Sequence, residues 1–186
     1  MDELKSALEI ALEKSSRLGK LSAEEERQLL EEKYSQIGTA MVVRYLDDPK
    51  RQSLTSQLKA YSAEEQEAIK KAAVSELTAA LDLTNPTKLD EICQGIANLE
   101  PDLQPVLERI TQLRAEYEQA RSAAMQELEN KGREVLHRLR ISGTAIGDIN
   151  VEASAEWPEK ERSLTATFYP RFDNLKQELQ EKREIS

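Results

Sequence analysis

The sequence predicts a mainly α-helical protein, an elongated antiparallel helical bundle or coiled coil around one long central helix. Three observations carry this. From Leu103 the apolar positions run Val106, Ile110, Leu113, Tyr117, Ala120 and Ala124, alternating steps of three and four residues, which is a heptad seam. Ala, Glu, Lys, Leu and Arg fill more than half of the 186 residues, as in long helices. Six Gly and six Pro are too few for the many tight turns of a sandwich or barrel.

Each element has its own local reason. Leu4, Leu8, Ala11 and Leu18 share one helical face, and Gly19 supplies a left-handed stop. Ser22 and Glu25 stand at capping-box spacing. The helix they open should bury Leu29, Leu30, Ile37, Met41 and Tyr45, and Asp48-Pro49 should end it. A second box, Ser62 with Glu65, opens a helix carrying Ile69, Ala72, Ala73, Leu77, Ala80 and Leu81. The repeated Ser-Ala-Glu-Glu reads as two good helix starts rather than a duplication, because the flanking residues do not align. Asn85 can cap a short helix with Pro86 in its first position and Leu89, Ile92 and Ile96 inward.

The long seam then steps by four to Leu128 and continues through Gly132, Val135 and Leu139, a stutter that locally unwinds a coiled coil. Lys131, Arg133, Arg138 and Arg140 suit the negative end of its dipole. Residues 149–157 alternate, with Ile149, Val151, Ala153, Ala155 and Trp157 on one side, a strand signal. A small β element over 145–169 is therefore one reading of the C-terminal part. The other is a helix, since Leu164, Phe168, Phe172, Leu175 and Leu179 have helical spacing, with Pro170 kinking or restarting it. The pattern favours the helix, and divides the chain into an N-terminal helical region (1–100), the central helix (101–140), and a loop or β element followed by a helix (141–186).

Composition also bears on function. The net charge of −9, from 26 basic and 35 acidic residues, disfavours a phosphate backbone as partner. The charge is spread along the chain, with no basic domain behind an acidic tail. No apolar run is long enough to span a membrane. The first residues do not read as a signal peptide, and a single cysteine, Cys93, suggests a reducing, cytoplasmic setting.

Catalytic and metal-binding constellations are sparse. A Cys–His pair could draw only on Cys93 and the single histidine, His137, and a half-buried helix cysteine with a helix-end histidine explains both. Glu134 and His137 have the Glu-x-x-His spacing of di-iron bundles. Such a centre needs a second copy of the motif, so it would require a dimer, and a Glu-rich helix produces the spacing easily. No Cys cluster, phosphate loop or calcium loop is present, and no cofactor is expected.

The expected role is that of a non-enzymatic structural or adaptor protein, acting through helical protein–protein contacts. The expected assembly is a homo-oligomer, a dimer sharing the seam of Leu103, Val106, Ile110, Leu113, Tyr117, Leu128, Val135 and Leu139. The candidate surface for an unknown protein partner is Ile141, Gly143, Ile146, Ile149 and Trp157, a semi-apolar stretch with the only tryptophan. The same residues could instead plug the bundle end. Two alternatives stand beside it: a regulatory or assembly subunit, cochaperone-like or ATPase-stalk-like, and a di-metal carboxylate bundle across a dimer.

Overall fold

A computed structural model describes residues 23–49, 51–141 and 147–185. The expected helix of Leu4, Leu8, Ala11 and Leu18, its stop at Gly19 and the cap Ser22 lie outside the described residues, as do Gly143 and Ile146. The described chain forms six α-helices: α1 (Ala23–Asp47), α2 (Leu54–Leu58), α3 (Ala63–Ala79), α4 (Pro86–Leu99), α5 (Gln104–Arg138) and α6 (Trp157–Ile185). Single turns of 3-10 helix lie at Pro101–Leu103 and Val151–Ala153.

The helix starts follow local chemistry. Ser53 Oγ accepts from the Ser56 N–H at 3.3 Å, and Asn85 Oδ1 accepts from the Lys88 N–H at 3.2 Å ahead of Pro86. The Ser62 N–H donates to Glu65 Oε2 at 2.9 Å. That bond, first among its causes, holds the Glu65 carboxyl below the usual range.

One apolar core runs from Met41 to Leu179. It buries Ile69, Val74 and Leu77 of α3, Leu89, Ile92 and Ile96 of α4, Val106 and Ile110 of α5, and Phe172 and Leu179 of α6. The α5–α6 pair is an antiparallel helical hairpin. Arg109 bonds Glu178 at 2.7 Å, Arg171 meets Glu116 at 2.8 Å and Lys160 meets Glu127 at 2.6 Å. These contacts run forward on α5 and backward on α6. Tyr117 and Phe168 meet edge to face between them, centroids 5.5 Å apart.

On α3 the sense is also opposite to α6: Arg183 donates to the Lys71 carbonyl at 3.2 Å and Lys176 to the Ala79 carbonyl at 3.3 Å. By contrast, α1 runs with α3. Tyr34 donates to Glu65 at 3.3 Å, and Gly38 lies against Ala72 and Ala73 further along. A Cβ on Gly38 would come within 2.7 Å of the Ala72 Cβ, so this crossing depends on a missing side chain.

Three expectations change. The alternating stretch 149–157 forms no strand, and no strand occurs among the described residues. Asn150 Oδ1 instead accepts from the Ala153 N–H at 3.2 Å and starts a 3-10 turn, and Trp157 opens α6. The return segment takes its helical pattern, so a strand here would have no partner for its N–H and C=O groups. Second, Pro170 does not interrupt α6. The Ala166 carbonyl, which loses its usual partner, belongs to an exposed residue, where water can satisfy it. Third, Leu29 and Leu30 are 57% and 46% exposed rather than buried. Tyr34 stands level with the first turn of α3, so the first ten or so residues of α1 extend past its start.

Candidate functional site

The central helix has 35 residues, about 52 Å at roughly 1.5 Å per residue. Its seam divides in two. Leu103, Val106, Ile110, Leu113, Tyr117 and Leu128 are all buried within this chain. Val135 and Leu139 are 51% and 64% exposed. Lys131 reaches Glu156 at 3.4 Å, just before α6 begins, so the last two turns of α5 project beyond the hairpin.

The projecting end is closed by its backbone. The Ile141 N–H donates to the Leu136 carbonyl at 3.0 Å and the Arg140 N–H to the His137 carbonyl at 3.0 Å, the paired bonds of a Schellman stop. Arg140 takes the left-handed position with φ of 56°, a conformation glycine normally supplies. Ile141 is left 48% exposed.

Behind the tip the chain returns along α5 and forms a second, small apolar cluster. Leu128, Val151 and Trp157 are buried in it, with Ala124, Met125 and Ile149 against them. Ile149 leans on Gly132: a Cβ there would lie 3.1 Å from the Ile149 Cδ1. The Arg121 guanidinium stands 5.3 Å from the Trp157 ring centroid and bonds Glu152 at 2.5 Å. Glu127 receives Lys160 at 2.6 Å and Lys131 at 3.0 Å. These two ammonium groups, Lys160 first, hold its carboxyl down at about 2.

The five residues singled out as a partner surface therefore separate. Trp157 and Ile149 plug the end of the hairpin, Ile141 is exposed at the tip, and Gly143 and Ile146 lie outside the described residues. The exposed apolar residues of the tip are Val135, Leu139 and Ile141, with Arg133, His137, Arg138 and Arg140 also exposed around them.

Two groups that sequence reading weighed for chemistry stay apart. Cys93 lies in α4 facing Thr111 of α5; burial, and then Asp90, push its thiol up to about 11. His137 is 26 residues beyond Thr111 on the same helix, about 39 Å along its axis. Glu134 meets Arg138 at 3.4 Å, and among the described residues no group of three His, Cys, Asp or Glu could hold a metal ion. None of the described helices is long and apolar enough to cross a membrane.

The exposure of Leu29 and Leu30 is a site feature that sequence reading missed. The signal was the difference in length: a helix of 25 residues packs along one of 17. Compared with known families, with characterised proteins and with solved structures, the chain has no match.

Proposed function

We propose that this protein is a non-enzymatic structural or adaptor protein that works by helical contact, and that the projecting end of α5 is the contact surface. One observation carries the reading: Val135, Leu139 and Ile141 stay exposed at the end of a helix whose large seam residues from Leu103 to Leu128 are buried. Leaving three large apolar side chains in water forgoes about 1.5–3 kcal/mol for each that could be fully buried. Of the seam residues expected to meet a second copy, Val135 and Leu139 are exposed.

The separation of Cys93 from His137 supports contact over catalysis, as does a thiol pushed up to about 11, where little thiolate forms near neutral pH. The test is affinity capture from the native cell with a tagged chain and with its Val135→Ser/Leu139→Ser variant. A defined protein held by the parent and lost by the variant, a second copy of the chain included, is the expected result. Equal retention by both, or turnover of a substrate by the purified chain, overturns the reading.

A further inference from the structure

Among the described residues two helix ends carry exposed apolar groups, and the contacts place them at opposite ends of the bundle. The tip of α5 projects beyond the start of α6. Since α3 runs against α6, the start of α3 lies toward the other end, where Arg183 of α6 meets Lys71. Running with α3, α1 overhangs its start at that same far end. Each overhang carries an apolar group: Val135, Leu139 and Ile141 on α5, Leu29 and Leu30 on α1.

The charges around them are opposite. The α5 tip holds Lys131, Arg133, Arg138 and Arg140; Glu127, Glu129 and Glu134 pair the first three along the helix, and Arg140 adds a further positive charge. From residue 24 to residue 33 the α1 overhang carries five glutamates, Glu24, Glu25, Glu26, Glu31 and Glu32, against Arg27, which pairs with Glu24, and Lys33. Two α5 tips brought together would oppose like charges, which disfavours a symmetric pair through this surface. A tip set on an α1 overhang would bury apolar residues on both sides inside matched rims of charge.

We propose that the occupant of the α5 tip is a second copy of this chain, bound head to tail by its α1 overhang. This rests on the contact reading above and gives that contact a partner. Such a contact uses different surfaces on the two copies, so it leaves a free tip and a free overhang at the ends of every open complex, which then extends as a chain or closes into a ring. A single crossing of two short helix ends is a small interface, so weak association seen only at high protein concentration is expected. Opposite charges at its rim make it weaken as salt rises.

The test is sedimentation velocity on the full chain from about 10 to 500 µM, at low and high salt. Two variants accompany it, one with Val135→Glu and Leu139→Glu, the other with Leu29→Lys and Leu30→Lys. All four positions are exposed, and circular dichroism checks that the helices are retained. The parent is expected to grow in mass with concentration, less so at high salt, and each variant to remain monomeric. The two variants mixed are expected to form a one-to-one pair that grows no further, since one keeps an intact α1 overhang and the other an intact α5 tip.

A parent that stays monomeric throughout overturns the proposal, whether the chain's own residues 1–22 or another protein covers α1. So does a mixture that fails to pair, or a variant that still associates alone. A monomeric parent that nonetheless loses a different captured protein on Val135→Ser/Leu139→Ser substitution overturns the second-copy partner and leaves the contact reading standing.

Discussion

Single residues decide the closest approaches in this fold. Gly38 is half of the α1–α3 crossing, and an alanine there would meet Ala72 Cβ at 2.7 Å and the Ile69 carbonyl at 3.0 Å. Both are parts of a neighbouring helix that cannot swing aside. Alanine gains up to about 1 kcal/mol in helix propensity, but overpacking costs about 1–3 kcal/mol. Gly38→Ala should therefore lower the stability measured by urea denaturation, whereas the exposed Ser35→Ala on the same helix should not. Glu127 offers a second test. Its carboxyl is held at about 2, below the ordinary 4.5, by Lys160 and then Lys131. Because its folded value is depressed, its contribution is full above about pH 4.5 and is lost as pH falls toward 2. An NMR titration should place its midpoint near 2, and Lys160→Met should move it up.

At the scale of elements, α6 shows how a helix tolerates a residue that opposes it. Pro170 removes one backbone hydrogen bond and crowds the preceding turn, a cost of about 3 kcal/mol in a helix interior. Burial of Phe168, Phe172, Leu175 and Leu179 on either side outweighs this. Pro170→Ala should raise the thermal midpoint, by an amount equivalent to about 1–3 kcal/mol once the freer unfolded chain is allowed for. An unchanged or lower midpoint would mean that the proline is accommodated without strain. The 149–157 stretch is the converse case. Its alternation was legible, but alternation alone does not make a strand. The neighbouring segment had a stronger helical stripe, so the turn at Asn150 and the start of α6 at Trp157 took its place.

For the whole molecule, two apolar clusters of unequal size imply unequal stability. The large core joins α1 to α6, whereas Leu128, Val151 and Trp157 form a small cluster near the projecting tip. Regions with few buried contacts open at lower cost than the global transition. Trp157 is the only tryptophan, so its emission reports on the small cluster alone. Its red shift in urea should precede the loss of helical circular dichroism, and Trp157→Ala, which deletes a large buried side chain at a cost of about 3–5 kcal/mol, should loosen the tip and leave most of the helix content intact. Coincident transitions would show the two clusters to be one cooperative unit.

Helix identity was legible in the sequence by itself. The capping box at Ser62, the cap at Asn85, the stop at Asp48-Pro49, the long seam and the helical spacing from Leu164 to Leu179 are local or periodic signals, and they depend only on neighbours within a few residues. What covers each stripe was not legible, because periodicity says that an apolar face needs shielding and not what shields it. Only the tertiary structure decided that Leu103 to Leu128 are covered by this chain, that Trp157 plugs the hairpin, and that Val135, Leu139, Leu29 and Leu30 are left over. The physical reason is length. Helices of unequal reach packed side by side run out of partners at their ends, and where they do so depends on register, which is set by contacts between residues far apart in the chain.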